Sequence, residues 1–119
     1  MPDAETTVYF NPRCSKCRSA RALLEERGTQ ASYIHYLDDK PTRPELERLM
    51  RQLGISSPRE MMRTGEAIYA ELGLADAGDA RLLEAIVAHP ILLERPIVVR
   101  GERAVIARPP ERLQALWSE

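Results

Sequence analysis

The chain has 119 residues, 44% of them hydrophobic, a length that allows one compact domain with its own core but not two. Seventeen basic and eighteen acidic residues give a net charge of -1, which excludes the overall basic field that attracts nucleic acids or anionic membranes. The sequence contains no signal-peptide pattern and no apolar run of about 18 residues, so we expect a cytoplasmic protein with neither a nucleic acid nor a membrane as partner.

The N-terminal third has the pattern of a strand, a helix and a second strand. Thr6–Phe10 is rich in β-branched and aromatic residues and ends at the turn Asn11-Pro12. Ser15–Arg27 places its apolar residues on one helical stripe, and Gly28 follows where a left-handed residue would end a helix. Ala31–Leu37 is again β-rich. We therefore expect a right-handed βαβ unit with two parallel strands.

The middle of the chain, about residues 42–90, is expected to be a helical insertion. One helix begins with a capping box at Thr42, a short one begins after Ser57, and a third begins at about Glu66. Asp79 is expected to cap the last helix of the insertion.

The C-terminal part predicts a β-hairpin and a final helix. Ile97–Val99 and Ala104–Ala107 are β-rich, and Arg100-Gly101-Glu102-Arg103 joins them in a tight antiparallel turn. Pro109-Pro110-Glu111 then opens a helix that ends near Trp117. The order βαβ, helical insertion and ββα predicts a single α/β domain with the thioredoxin-like fold and a mixed four-stranded sheet.

The only two cysteines, Cys14 and Cys17, lie where the first strand gives way to the first helix. Free peptide N–H groups at the start of a helix, the helix dipole and flanking basic residues all stabilise a thiolate. We therefore predict that Cys14 is a nucleophile with a lowered pKa. Cys17 lies about one turn further on the same face, so it is either a resolving thiol that closes a disulfide with Cys14 or a small apolar core residue.

A zinc site is another possible use of a cysteine pair. Zinc would need two further ligands, and the only histidines, His35 and His89, lack metal-ligand spacing. We therefore expect no metal and no bound cofactor. A CxxC placed between strand and helix favours thiol redox chemistry instead.

Three arginines are candidate anion ligands. Arg95 precedes Pro96 at the entrance to the third strand, Arg108 ends the fourth strand, and Arg59 begins the short second helix of the insertion. The Arg95-Pro96 bond is a candidate for the cis form, which would turn Arg95 towards the cysteine loop. From position alone, a solvated surface charge is the default interpretation of each arginine, and a meeting of all three at Cys14 is the alternative.

A set of motifs extends from about Thr6 to Trp117: Asn11-Pro12-Arg13-Cys14-Ser15-Lys16, Gly54-Ile55-Ser56, Arg59-Glu60-Met61-Met62-Arg63, Glu71-Leu72-Gly73-Leu74-Ala75-Asp76, His89-Pro90, Glu94-Arg95-Pro96-Ile97-Val98-Val99 and Arg108-Pro109-Pro110-Glu111. In this order the motifs resemble the glutaredoxin-coupled arsenate reductase (ArsC) family. The resemblance implies a thioredoxin-like domain with a helical insertion. It also implies that Cys14 is the attacking thiolate. The arsenate ligands that it implies are Arg59, Arg95 and Arg108.

In the mechanism of that family, the thiolate displaces an oxygen of arsenate, glutathione reduces the thiol-bound arsenic, and glutaredoxin restores the thiol, leaving arsenite. The resemblance therefore implies arsenate as substrate, glutathione as co-substrate and glutaredoxin as partner, with no bound metal. Because a thiolate and arsenate repel each other, the attack needs donors that neutralise charge, and the planar guanidinium group of arginine suits an oxyanion.

Two positions depart from the family pattern. Members with the activity carry a histidine four residues before the cysteine, where this chain has Phe10, which supplies neither proton nor charge. Many relatives lack a cysteine at position 17, and the CxxC resembles the Spx regulators, which bind RNA polymerase and use such a pair as a redox switch. An Spx-like regulator and a dithiol oxidoreductase with another substrate therefore stay open as alternatives. Arg108-Pro109-Pro110-Glu111, a motif that the regulators do not keep, favours the enzyme.

Overall fold

The computed structural model describes residues 5–117, which form two compact units. We call residues 5–36 with 95–117 the sheet unit, and Leu37–Glu94 the helical unit. The sheet unit contains strands β1 (Thr6–Phe10), β2 (Ala31–His35), β3 (Ile97–Arg100) and β4 (Arg103–Ile106), helix α1 (Ser15–Glu26) and the 3-10 helix Pro110–Trp117. The helical unit contains α2 (Arg43–Leu53), α3 (Ala67–Glu71), α4 (Asp79–Ala88) and the 3-10 helices Pro58–Met61, Leu74–Asp76 and Pro90–Leu92.

The sheet is mixed and has the strand order β2-β1-β3-β4. β1 and β2 are parallel, whereas β3 is antiparallel to both β1 and β4. α1 supplies the crossover that two parallel neighbours require. The α/β class and the mixed four-stranded sheet expected from the sequence are therefore confirmed.

The core of the sheet unit forms between α1 and the central strands. Val8 and Phe10 lie on the same face of β1 and belong to this core, whereas Tyr9 between them is buried on the other face. The buried stripe of α1 consists of Cys17, Ala20 and Leu24, which belong to the same apolar cluster. Burial of this stripe fixes the start of α1 against the end of β1, and so it fixes the segment that carries Cys14.

The capping box predicted for α2 is present. The Glu45 backbone N–H donates to the Thr42 hydroxyl at 3.3 Å, and the Thr42 N–H donates to the Glu45 carboxylate at 3.4 Å. Gly54 ends the helix with a left-handed φ of 71°, a conformation that costs glycine little. None of the helices between residues 5 and 117 combines the length and the hydrophobicity that a membrane-spanning helix requires.

The start of α4 differs from the prediction. Its N-cap is Gly78, which has an extended backbone, and Asp79 is the first helical residue. The Asp79 carboxylate instead accepts a hydrogen bond from the Ser57 hydroxyl at 3.4 Å, so a tertiary partner replaces the local cap. The final helix, Pro110–Trp117, is a 3-10 helix.

Candidate active site

Cys14 occupies the N-cap position of α1. Its backbone N–H donates to the Asn11 carbonyl at 2.9 Å and closes the turn that follows β1. Arg18 donates to the Pro12 carbonyl at 3.0 Å and holds the same turn. Cys14 is only 9% exposed, less than an openly accessible nucleophile would be. The thiol therefore lies beside the free N–H groups of the first helical turn, largely shielded from water.

Two opposing effects set the pKa of the Cys14 thiol. Burial by itself raises this pKa because the thiolate loses its hydration. Hydrogen bonds outweigh burial: the backbones of Cys17 and Lys16 and the side chains of Arg95 and Cys17 lower the pKa to about 7. A large share of Cys14 is therefore thiolate at neutral pH, as a nucleophile requires.

Cys17 is fully buried on the apolar stripe of α1. Burial raises the pKa of its thiol to about 12, and the neighbouring Cys14 sulfur adds to the rise. Cys17 therefore keeps its proton and donates an S–H hydrogen bond to Cys14. In the described part of the chain both cysteines are free thiols.

The sheet unit brings two of the three predicted arginines together. The Arg95-Pro96 bond is cis, as the sequence suggested, and so is the Arg108-Pro109 bond. The Arg95 side chain hydrogen-bonds the Cys14 sulfur. Arg108 Nη1 donates to the Arg95 carbonyl at 3.3 Å. Because β3 and β4 are paired, the residues that flank them, Arg95 and Arg108, meet at one edge of the sheet.

Three buried donors near Cys14 have no acceptor among residues 5–117: Nε and Nη1 of Arg95 and the O–H of Tyr36. Tyr36 directly follows β2 and is fully buried. Burial raises the pKa of its hydroxyl, although the charge of Arg95 and a hydrogen bond from the Arg95 side chain to the phenol oxygen oppose this, so the phenol keeps its proton at neutral pH. Tyr36 was not predicted as a site residue, and the one signal for it in the sequence was its position directly after a strand parallel to the one that precedes Cys14.

Arg59 belongs to the helical unit, where backbone groups hold it. Its N–H donates to the Ser57 hydroxyl at 3.2 Å, and its Nη2 donates to the carbonyls of Ala77 at 2.9 Å and Leu74 at 3.4 Å. Its Nη1 is buried and has no partner within the described chain. Arg59 is therefore not the solvated surface charge that its position alone suggested. Its meeting with Cys14 stays a prediction.

Phe10 occupies the position of the family histidine and is 2% exposed. Its ring packs edge-on against Tyr33, with 5.2 Å between the ring centroids, and its centroid lies 5.9 Å from that of His35. Phe10 thus supplies an apolar wall, and the donors to the thiolate come from α1 and Arg95. In the part of the chain that the structure describes, no three His, Cys, Asp or Glu side chains are arranged to hold a metal ion.

Comparison with known proteins decides the family. The model of the ArsC family matches residues 9–116, nearly the whole chain. The chain belongs to the ArsC family. An arsenate reductase of Neisseria meningitidis is 46% identical over 114 residues, which make up 94% of this chain and 97% of that protein. An arsenate reductase of Escherichia coli is 41% identical over 107 residues, 88% of this chain and 75% of that protein.

A solved structure agrees with the family assignment. An arsenate reductase from Vibrio cholerae superimposes with a TM-score of 0.92 at 42% identity, covering 96% of this chain and 98% of that one. The resemblance to the ArsC family seen in the sequence motifs is thereby confirmed, and so is the thioredoxin-like fold.

Proposed function

We propose that this ArsC-family chain is a thiol-dependent arsenate reductase in which Cys14 attacks arsenate. The observation that carries the proposal is a Cys14 thiol whose pKa is lowered to about 7, hydrogen-bonded by an arginine with two further unused donors, Nε and Nη1 of Arg95. The names of the relatives in Neisseria meningitidis and Escherichia coli support arsenate as the substrate.

The first step is nucleophilic displacement at arsenic. The Cys14 thiolate forms a sulfur–arsenic bond, and one arsenate oxygen leaves as water after taking up protons. Arsenic stays in the +5 state in this step. The thiolate and the oxyanion repel each other, so the charge of Arg95 is needed to bring them into contact. The family resemblance adds Arg108 and Arg59 as further ligands of the oxyanion.

The second step transfers two electrons. A glutathione thiolate attacks the Cys14 sulfur, the sulfur–arsenic bond breaks with its electron pair left on arsenic, and arsenite departs. The mixed disulfide between Cys14 and glutathione is then reduced by glutaredoxin, which restores the thiol. Glutathione is thus a co-substrate, and no bound cofactor takes part. We place the reaction in the cytoplasm, where glutathione is kept reduced.

A dithiol oxidoreductase is the second candidate, and the hydrogen bond between the two sulfurs favours it. In that case Cys17 would attack an adduct of Cys14 and close a disulfide. The high pKa of Cys17, about 12, opposes this role because the thiolate is the attacking species. In the favoured mechanism Cys17 is therefore a neutral hydrogen-bond donor to the Cys14 sulfur. The Spx-like regulator is supported by the CxxC spacing alone.

The test follows arsenite formation by the purified protein supplied with arsenate, glutathione and glutaredoxin. We expect turnover by the wild type and by Cys17→Ser, whose hydroxyl still donates, and none by Cys14→Ser. Arg95→Ala should lower kcat/KM about ten- to a hundred-fold, the effect of losing a charge-assisted hydrogen bond of about 1.5–3 kcal/mol. Absence of wild-type turnover would reject the proposal. Turnover that depends on Cys17 and passes through an internal disulfide would favour the dithiol oxidoreductase.

A further inference from the structure

Tyr36 carries a buried hydroxyl that the mechanism above does not use. We propose that this hydroxyl, together with Nε and Nη1 of Arg95, donates hydrogen bonds to a tetrahedral oxyanion that lies against the Cys14 sulfur. The inference rests on the proposed function for the identity of the oxyanion, arsenate. It adds Tyr36 to the side chains of the sheet unit proposed for the substrate site, which are Cys14, Arg95 and Arg108.

The burial of the Tyr36 hydroxyl supports a ligand at this position. A hydroxyl inside a protein nearly always has a hydrogen-bond partner, because water is lost on burial and must be replaced. Tyr36 is fully buried, and no acceptor for its O–H is found among the described residues, since the neighbouring Arg95 guanidinium can only donate to the phenol oxygen. The same holds for Nε and Nη1 of Arg95. Three unused donors around one thiolate are the complement of a ligand that carries only acceptors, and a tetrahedral oxyanion is such a ligand.

The sheet topology places Tyr36 next to the turn that carries Cys14. β1 and β2 are parallel, and Phe10, the last residue of β1, is paired with His35, the last residue of β2. Both strands therefore end at the same edge of the sheet. Tyr36, the residue after β2, lies there beside the turn that connects β1 to Cys14. Cys14 and the half-buried Arg95 retain some exposed surface, which gives a small ion a way in.

The neutral charge of the Tyr36 hydroxyl suits a donor to an anion next to a thiolate. An anion beside a thiolate is repelled, and a second anionic side chain would add to the repulsion. Burial keeps the Tyr36 hydroxyl protonated by raising its pKa, so it offers a proton without adding charge. A neutral donor opposite a guanidinium group orients the oxyanion while Arg95 supplies the neutralising charge.

The test uses inorganic sulfate, which cannot be reduced by thiols under these conditions and so reports binding alone. Protection of Cys14 from iodoacetamide is followed by peptide mass spectrometry in the wild type, Tyr36→Phe and Tyr33→Phe. Tyr33→Phe makes the same chemical change on β2 in a ring that packs against Phe10. We expect the sulfate concentration for half-protection to rise about tenfold or more in Tyr36→Phe, as for loss of a hydrogen bond to a charged group, and to stay unchanged in Tyr33→Phe.

Two further measurements distinguish loss of sulfate binding from a structural disturbance caused by Tyr36→Phe. Without sulfate, the pH profile of Cys14 alkylation should be the same in Tyr36→Phe and the wild type, because the phenol is not a donor to the sulfur. In protein labelled with 13C at tyrosine Cζ, the resonance of Tyr36 is assigned by elimination with Phe variants of the other three tyrosines, and it should shift in the wild type on addition of sulfate, so this measurement needs no Tyr36 variant. An unmoved resonance, or equal half-protection concentrations in wild type and Tyr36→Phe, would overturn the inference, as would failure of sulfate to protect the wild type.

The same variants in the arsenate assay distinguish the two proposals. If arsenate is not reduced but sulfate protects Cys14 in a Tyr36-dependent way, arsenate reduction is rejected as the function, and the oxyanion site at Tyr36 is supported. If the wild type and Tyr36→Phe reduce arsenate with the same KM and kcat, arsenate reduction is supported as the function, and the binding of the oxyanion by Tyr36 is rejected.

Discussion

Cys14 and Cys17 are the same residue type one helical turn apart, yet their thiols have opposite pKa shifts. Burial raises the pKa of both. At Cys14, donors from the first turn of α1 and from Arg95 reverse the effect and lower the pKa to about 7, whereas Cys17 reaches about 12. The protonation of each thiol therefore depends on whether its hydrogen bonds outweigh its burial: at Cys14 they do, and at the more deeply buried Cys17 the hydrogen bond from the Asn11 backbone does not.

Alkylation kinetics test the contribution of Arg95. We expect the rate of Cys14 alkylation in the wild type to rise with pH through a midpoint of about 7. Arg95→Ala should move this midpoint upwards because the thiolate loses a charge-assisted hydrogen bond. Arg13→Ala removes the same charge from the residue next to Cys14, but that side chain is exposed, so it should shift the midpoint less. Equal shifts in the two variants would mean that long-range charge, not the hydrogen bond, sets the pKa.

Substitutions of Cys17 distinguish a hydrogen-bond donor to the Cys14 sulfur from a residue that only packs in the core. Cys17→Ala removes the S–H donor and should raise the midpoint of Cys14 alkylation, whereas Cys17→Ser retains a donor and should stay near the wild type. The measurement is the same pH profile, followed at Cys14 by mass spectrometry. If both variants leave the profile unchanged, Cys17 is a packing residue without influence on the nucleophile.

At the scale of elements, local hydrogen bonds fix the starts of the segments that carry Cys14 and Arg59. α1 begins where β1 stops, and the turn from Asn11 to Cys14 is closed by a backbone hydrogen bond of 2.9 Å. In the helical unit, capping boxes start α2 at Thr42 and the 3-10 helix at Ser57. The box at Ser57 also orders the backbone of Arg59 through the 3.2 Å hydrogen bond to its N–H.

The cap of α2 gives a stability prediction. Thr42→Ala should lower the free energy of unfolding by about 1 kcal/mol, the typical cost of removing a side-chain cap. Urea denaturation measures the change, and Thr64→Ala, the same substitution at an exposed turn residue, should change it by less than about 0.5 kcal/mol. A loss for Thr42→Ala no larger than that of its control would show that the capping box contributes little in this protein.

At the scale of the whole molecule, the order of strands and helices was predictable because hydrophobic periodicity and turn residues are local signals. The position of Cys14 at the start of α1 was predictable for the same reason, since it lies within one strand-to-helix turn. The contact between Arg108 and the Arg95 carbonyl depends on the pairing of β3 with β4 and had no local signal. Tyr36 was missed because its burial without a partner appears only once the chain is folded. Gly78 replaced Asp79 as the cap of α4 because Asp79 has a tertiary partner.

The proposed function makes one claim about the whole molecule: a single thiolate carries the reaction, and external thiols complete it. The claim concerns where the sulfur–sulfur bond forms after arsenic is reduced. If Cys17 were the resolving thiol, that bond would lie inside the chain. If glutathione resolves the adduct, the bond joins the chain to glutathione at Cys14.

A single-turnover reaction without glutaredoxin tests this claim most directly. The reduced protein is mixed with arsenate and glutathione, quenched with acid, and analysed for arsenite and for modified cysteines by mass spectrometry. We predict arsenite equimolar with the protein and glutathione joined by a disulfide to Cys14, both dependent on arsenate and both absent in Cys14→Ser. A Cys14–Cys17 disulfide, glutathione attached to Cys17, or arsenite formed by Cys14→Ser would contradict it.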